Sequence, residues 1–148
     1  MASGDFSTFF ELLPIGAYRS TPDGRQIRAN LALVRLDGYD TEAEMLEATK
    51  DLATEWYVDP QRRTLFKVLL AEHGRVVNFD SEVYRHKTRE RIWVRVNSHV
   101  VYDDQGQICY YEGTVQEITH EYRARIALEE SERRFRALTS LSSDWYWE

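Results

Sequence analysis

The chain has 148 residues, of which 43% are hydrophobic and 30% charged, and its formal net charge is -6. This is the composition of one ordinary globular domain, and the acidic balance argues against a general nucleic-acid binder, which needs clustered Lys and Arg. The lone Cys109 excludes an internal disulfide and a cysteine-based zinc site, and no apolar run approaches the ~20 residues of a membrane span.

The first predicted element is a short amphipathic helix within residues 1–13. In "DFSTFFELL" the apolar residues recur at helical spacing: Phe6, Phe9, Phe10 and Leu13. Aromatic side chains on so short a helix need cover from a sheet or from a partner chain. The same stretch carries acids rather than the basic head of a signal peptide, so we expect a cytoplasmic chain without direct membrane contact, with a membrane-anchored parent protein as the open alternative.

A hairpin and several short helices come next. "GAYRSTPDGRQIRAN" reads as two strands joined by a turn at Gly24, and Asn30 is placed to cap a short helix. Thr41 and Glu44 have the spacing of a second helix cap. A longer helix follows Asp59 and ends at Gly74, and its pattern predicts four buried residues: Leu65, Phe66, Leu69 and Leu70.

The second half predicts three longer strands and a charged helix. The strands are "RVVNFDSEVYRH", "RIWVRVNSHVVYD" and "GQICYYEGTVQEI", and their alternation indicates one face against a core and one partly covered. Together with the hairpin they predict an α+β domain with a five-stranded antiparallel sheet. In the closing helix, the heptad seam is Ala124, Leu128, Ser131, Phe135 and Leu138.

The ordered set of these segments resembles a PAS domain with its C-terminal PAC segment over residues 14–119. The matching pieces are "GAYRSTPDGRQIRAN", "LDGYD", "VDPQRRTLFKVLL", "EHGRVVNFDSEVYR", "IWVRVNSHVVYDDQGQI" and "YYEGTVQEIT". Residues 120–139 are then predicted to form a coiled-coil-like linker helix, and residues 140–148 to begin a following PAS domain that is cut off. The stretch "ERRFRALTSLSSDWYWE" resembles the opening of such a domain, with a new strand beginning at Trp145. The chain departs from the family at "HKTRER", where an Asp-Gly turn is usual, and at Glu117, where Asp is usual.

The resemblance implies a sensory or interaction module, in which a curved sheet cups short helices around a small-molecule cavity. Such modules belong to bacterial sensor histidine kinases and cyclic-di-GMP enzymes, among others. The four His residues have no metal-ligand spacing, and no GxSxG or phosphate-binding loop is present, so we expect neither catalysis nor a metal site in this chain.

A haem or flavin sensor is a further alternative within the family. Flavin photoreceptors carry a reactive Cys near the middle of the domain, where this chain has none, and Cys109 lies in the last predicted strand. His73 is the nearest candidate for an axial haem ligand, but its place at a helix end also suits a helix-end interaction. We therefore expect no cofactor, with a small-molecule ligand as the open alternative.

The predicted cavity lining combines one face of the sheet with aromatic residues from the other elements: Tyr18, Trp56, Phe79, Val94, Val96, Ser98, Tyr111, Gly113 and Val115. Gly113, inside a strand, predicts a close approach by a ligand or by a neighbouring helix. The alternative is a closed core in which the same residues pack against the short helices without a ligand.

Two further sets of residues are predicted to be functional, one for signal relay and one for dimer formation. The relay runs through the end of the last strand into the closing helix, through Glu117, Ile118, Thr119, Leu128 and Phe135, towards an output domain in the same polypeptide. The alternative is a rigid spacer. The homodimer interface is predicted to combine the first helix with the outward sheet face, at Phe6, Phe9, Phe10, Trp93 and His99. A basic turn at Arg85–Arg95 reads as a solvated loop rather than a nucleic-acid site.

Overall fold

The computed structural model describes residues 8–146, and the side chains of residues 8–141. It forms two compact units, which meet between residues 117 and 118. Within these described residues, the first unit contains five strands, which are β1 Gly16–Ser20, β2 Gln26–Ala29, β3 Arg75–Tyr84, β4 Arg91–Tyr102 and β5 Ile108–Glu117. Its helical elements are a short stretch at residues 8–12, α1 Leu31–Leu36, α2 Glu42–Ala48, α3 Leu52–Glu55 and α4 Pro60–His73. The second unit is helix α5, Thr119–Tyr146.

The strands form one antiparallel sheet in the order β2-β1-β5-β4-β3. This confirms the predicted α+β class and the five-stranded antiparallel sheet. The last strand in sequence lies at the centre, between the first hairpin and the β3–β4 pair. A change at the core-facing side of β5 is therefore felt by strands on both sides of it.

The helix starts follow the predicted caps. The Asn30 side chain accepts a hydrogen bond from the Leu33 amide at 3.1 Å, and Thr41 accepts one from the Glu44 amide at 3.1 Å. Asp59 caps α4 in the same way, and Gly74 ends it in the left-handed conformation with φ of 74°. These signals are local, because each depends on side chains within a few residues of the helix end.

The buried stripe of α4 differs from the prediction. Phe66 and Leu70 are buried and Leu69 is half-buried, but Leu65 is 41% exposed. Arg63 takes the place predicted for Leu65 and is only 5% exposed. The prediction for Leu65 was wrong because Arg63 continues the buried row through Phe66 to Leu70, at steps of three and four residues.

The core lies between one face of the sheet and the short helices. Pairing of β4 with β5 sets Val96 opposite Val115, Ser98 opposite Gly113 and Val100 opposite Tyr111. Directly paired residues of an antiparallel sheet share a face, so these side chains point into the same layer. Helices α1 to α4 supply the other wall through their buried residues: Leu33, Val34, Met45, Leu52, Phe66 and Leu70.

The first predicted helix is present as far as it is described, whereas the closing helix is longer than predicted. At the start, only residues 8–12 are described as helical, and Phe6 lies outside the described residues. At the other end, α5 runs to Tyr146, beyond residue 139, where the linker helix was predicted to end. Residues 145 and 146 are thus helical where a strand was expected to begin, and residues 147–148 lie outside the described part.

Candidate functional site

A small cavity lies between the core-facing side of the sheet and the helices. About 30 Å³ of it is open to the centre of a water molecule, which is room for about two waters. Its apolar walls come from every layer of the domain: Leu33, Met45, Leu52, Phe66, Val96 and Val115. Six polar residues also line it: Ser20, Gln26, Asp37, Thr49, Arg63 and His86.

Four of the nine predicted lining residues face this cavity: Tyr18, Trp56, Val96 and Val115. The other five lie around it without lining it. Phe79, Val94, Ser98 and Tyr111 are buried in the surrounding core, and Gly113 is half-buried. The structure thus brings together one aromatic residue each from β1 and the α3 end, and one valine each from β4 and β5.

Gly113 meets a neighbouring strand rather than a ligand or a helix. A Cβ atom at this position would stand 2.2 Å from the Asn97 carbonyl oxygen and 2.8 Å from the Ser98 Cα atom. Both atoms belong to β4, so the glycine allows the backbones of β4 and β5 to approach closely. The close approach predicted at Gly113 is present, but the approaching group is the backbone of β4.

A chain of hydrogen bonds holds the strands together beside the cavity. The Tyr18 hydroxyl donates to Ser98 Oγ at 2.9 Å, and Ser98 Oγ donates to the Glu112 carbonyl at 3.0 Å. Burial raises the pKa of the Tyr18 hydroxyl well above its ordinary value. Tyr18 therefore stays protonated and acts as a fixed donor between β1 and β4.

One end of the cavity is acidic. The Asp37 carboxyl is 2% exposed and accepts a hydrogen bond from the His86 amide at 3.1 Å. Burial raises the pKa of Asp37 to about 7, against the lowering effect of the hydrogen bond from the His86 amide and of the Arg85 charge. The His86 ring lies between Tyr39 and Glu55, with Nε2 at 3.3 Å from Glu55 Oε1.

Arg85 joins this end of the cavity to the last residue of β5. Its Nη1 donates to the Leu36 carbonyl at 2.6 Å, and its Nη2 lies 3.3 Å from Glu117 Oε1. Its Nε also donates to Glu90 at 2.9 Å. One guanidinium thus contacts the end of α1, the β3–β4 turn and the end of β5.

The remaining predicted relay residues lie in α5 or at its start. Ile118 is buried, and Thr119 is half-buried as the first residue of the helix. Leu128 and Phe135 are 59% and 69% exposed. Ala124, Leu138 and Leu141 are exposed as well, so the helix carries an apolar stripe open to solvent.

The predicted dimer residues separate into two places on the outward sheet face. Phe9, Phe10 and His99 line a groove of about 580 Å³ between the first helical turn and the sheet. Phe9 is exposed, whereas the Phe10 ring lies under the Arg28 guanidinium at 4.8 Å. Trp93 lies in a separate surface pocket with Arg62 and Asp80.

The site does not fit a haem or a flavin. Such a group needs a cavity of several hundred cubic ångströms, roughly 300 Å³ or more, and the space here is far smaller. Neither Cys109 nor His73 lines the cavity, and the His73 side chain is 64% exposed. Within the described residues, no group of three His, Cys, Asp or Glu side chains has the geometry of a metal site.

The basic turn is largely occupied by contacts within the domain. Arg85 pairs with Glu90 and Glu117, and Arg95 pairs with Asp80 at 2.8 Å. Arg89 donates to the Glu55 carbonyl at 2.6 Å. None of the helices in the described part of the chain is long and apolar enough to cross a membrane.

Sequence reasoning missed all six polar residues that line the cavity, among them Asp37, Arg63 and His86. For Arg63 a signal existed, because it stands three residues before Phe66 and seven before Leu70 on the same helix face. Asp37 and His86 gave no local signal. Both occupy turns, where charged residues are ordinarily solvated.

No protein-family model matches the sequence, and no curated protein is significantly similar to it. Solved structures do match. An RNA-binding Light-Oxygen-Voltage receptor superimposes with a TM-score of 0.72 at 19% identity, over 88% of this chain and 37% of the receptor chain. This chain therefore spans less than half of that receptor's length.

Two shorter structures match over nearly their whole length. The PAS domain of a protein from Colwellia psychrerythraea has a TM-score of 0.70 at 15% identity, over 81% of this chain and 99% of that chain. A sensory box histidine kinase/response regulator from Burkholderia thailandensis has a TM-score of 0.64 at 17% identity, over 89% and 98%. With its β2-β1-β5-β4-β3 sheet and the short helices over one face, this chain has the PAS fold.

Proposed function

We propose that this domain is a sensory module of a larger bacterial signalling protein and has no catalysis of its own. The parent protein would be a histidine kinase or an enzyme of cyclic-di-GMP metabolism, with the output domain in the same polypeptide. The similarity in fold to a sensory box histidine kinase supports the first of these. That the module works in the cytoplasm stays a prediction of the sequence.

The observation that carries the proposal is that a single strand connects the cavity to the closing helix. Val115 of β5 lines the cavity, Glu117 ends the strand, and α5 begins at Thr119. A ligand that favours one position of β5 would change the backbone from which the helix starts. The size of the response is limited by the difference in ligand affinity between the two positions.

A second connection reinforces the first. Asp37 lines the cavity and accepts from the His86 amide, and Arg85 beside it pairs with Glu117. A ligand near Asp37 would therefore act on the β3–β4 turn and, through Arg85, on the end of β5. We expect Glu117→Gln to weaken this route without removing the cavity.

The test begins with native mass spectrometry of the purified chain. We expect a constant additional mass that disappears on denaturation. Hydrogen exchange of residues 119–128 is then compared between loaded and stripped protein, because a helix that responds to the ligand changes its protection. Glu117→Gln should at least halve that difference, whereas Glu112→Gln, on the same strand but paired with Arg19, should leave it unchanged.

The alternative is a ligand-free dimerisation and spacing module. It is favoured by the small size of the cavity, about 30 Å³, which the domain could keep without any ligand. The same measurement separates the two functions. A chain that carries no additional mass from any growth medium, and whose closing helix never changes its exchange rate, would be a spacer.

In either case we propose that the module forms a homodimer. Support comes from the exposed apolar stripe of α5 and from the groove that Phe9 and His99 line on the outward sheet face. So much exposed apolar surface is unusual for a monomer, and a second copy of the chain is the simplest partner that would bury it.

A further inference from the structure

Within the described residues, three buried polar atoms in side chains that line the cavity have no hydrogen-bond partner: Nη2 of Arg63, Oγ of Ser20 and Nε1 of Trp56. Arg63 and Ser20 are 5% and 0% exposed. A buried donor without a partner costs about 1–3 kcal/mol, and more when it carries a charge. Native proteins seldom keep such a group unless a ligand, an ion or water completes it.

Arg63 also lacks an ionic partner. Among the described residues, no carboxylate lies within ion-pair distance of its guanidinium. The group stacks instead over the rings of Phe66 and Tyr111, at 5.5 and 5.7 Å from their centres. It also lies near the buried Tyr57 side chain, which lines the cavity. Aromatic contacts orient the flat guanidinium but do not neutralise it, so its charge remains available to an anion.

Tyr111 lies next to two of these unpartnered groups, those of Arg63 and Ser20. Ser20 pairs directly with Tyr111 across β1 and β5, so their side chains stand side by side on the core face. The Arg63 guanidinium lies over the ring of the same tyrosine. A hydroxyl and a guanidinium therefore converge on one end of the cavity, and both can donate to the same pair of oxygens.

The rest of the cavity restricts what such an anion can be. The space is about 30 Å³, the room of about two water molecules, which a carboxylate group and one methyl can fill. The walls beyond Arg63 are apolar, with Leu33, Met45 and Val96 among them. Asp37 lines the same cavity, and when its carboxyl is ionised it disfavours a ligand with a second negative charge.

We propose that this cavity binds a monocarboxylate of about the size of acetate, whose carboxylate accepts hydrogen bonds from the Arg63 guanidinium and the Ser20 hydroxyl. The inference rests on the proposed sensory function and names the chemical class of its ligand. A bidentate pair with arginine supplies specificity for a planar anion, and the apolar walls take the methyl group.

The experiment is a titration of the folded chain with formate, acetate and propionate, followed by amide chemical shifts at constant ionic strength. We expect saturable shifts at Ser20, Tyr57 and Tyr111, and at least tenfold weaker binding of acetamide, the neutral isostere. Sulfate and phosphate should not reproduce the shifts. If they do so with equal affinity, or if no monocarboxylate gives a saturable shift, the assignment is wrong.

Variants separate recognition from folding. Arg63→Met keeps the length of the side chain and should weaken acetate binding at least tenfold, while Ser20→Ala should weaken it about two- to tenfold. Arg62→Met is the matched control, because Arg62 stacks on Phe79 and does not line the cavity. Acetate affinity that survives in both Arg63→Met and Ser20→Ala would overturn the proposal.

Failure of this proposal and failure of the sensory function give different results. If native mass spectrometry shows a retained neutral molecule and carboxylates cause no shifts, the domain is a sensor for another class of ligand, and only the carboxylate proposal is wrong. If no molecule is retained and carboxylates cause no shifts, Arg63 and Ser20 bind buried water, the domain is a spacer, and both proposals are wrong.

Discussion

Burial acts in opposite ways on the two charged groups of the cavity. A carboxyl can escape the cost of burial by holding a proton, and the pKa of Asp37 is accordingly raised to about 7. A guanidinium has no such escape, because it keeps its proton throughout the usual pH range. Arg63 must therefore be satisfied by packing and by whatever occupies the cavity, whereas Asp37 changes its charge with pH.

The raised pKa of Asp37 predicts how stability changes with pH. The folded state holds this proton up to about pH 7, whereas the unfolded chain releases it near the ordinary value of 3.8. The folded state therefore binds more protons in this window, and the free energy of unfolding falls as pH rises through it. We expect Asp37→Asn to remove a loss of about 2–4 kcal/mol between about pH 5 and about pH 8.

Urea unfolding of the wild type and of Asp37→Asn at about pH 5 and about pH 8 measures this contribution as a difference between the two proteins. Other groups that face Asp37, namely Trp56, Arg85 and His86, are common to both and cancel to first order. Asp40→Asn, at a nearby exposed carboxyl, is the control and should follow the wild type. The prediction is contradicted if the free energy of unfolding changes by the same amount between the two pH values in the wild type and in Asp37→Asn.

At the level of the elements, the contact between β4 and β5 depends on a missing side chain. An alanine at position 113 would place its Cβ atom 2.2 Å from the Asn97 carbonyl oxygen, so the two central strands would have to separate. We expect Gly113→Ala to lower the free energy of unfolding by about 3 kcal/mol or more, because backbone atoms cannot move aside as a flexible side chain could.

Gly106→Ala is the matched control for this change. Gly106 has a φ of 77°, and nothing lies within 4 Å of the position that its Cβ would take. Only backbone strain should be felt there, at a cost of about 1 kcal/mol. Urea unfolding of both variants gives the comparison, and equal losses would mean that the strand contact at Gly113 tolerates a methyl group.

The elements that the sequence predicted well are those set by local rules. Caps at Asn30, Thr41 and Asp59, and the alternation in β4, depend on neighbours along the chain, so the pattern carries them. The burial of Arg63 in place of Leu65 was missed because a charged residue was assumed to be solvated. The polar lining of the cavity could not be predicted, because it joins residues from β1, α4 and two turns that meet only after folding.

On the scale of the whole molecule, the exposed apolar stripe of α5 has the spacing of a dimer seam. Leu128, Phe135 and Leu138 are 59%, 69% and 67% exposed, and they recur at steps of seven and three residues. Ala124 and Ser131 on the same seam are small, so the helix pair alone would be weakly held. The groove at Phe9 and His99 offers additional surface for the same partner, and the two contacts would reinforce each other.

We therefore predict that the chain is a dimer whose stability depends on both surfaces. The double variant Leu128→Glu/Phe135→Glu places two carboxylates on the seam of each helix, which costs burial and adds like-charge repulsion, and its mass by light scattering should fall to that of a monomer. Phe9→Ser should weaken the dimer at least tenfold without abolishing it. Arg133→Gln also makes the helix more negative, by removing one positive charge, but Arg133 lies off the seam, so this variant should keep the wild-type mass. If the double variant keeps the mass of a dimer, α5 is not the dimer interface. If the wild type remains a monomer at high concentration, the two surfaces do not mediate dimerisation and bind a different partner.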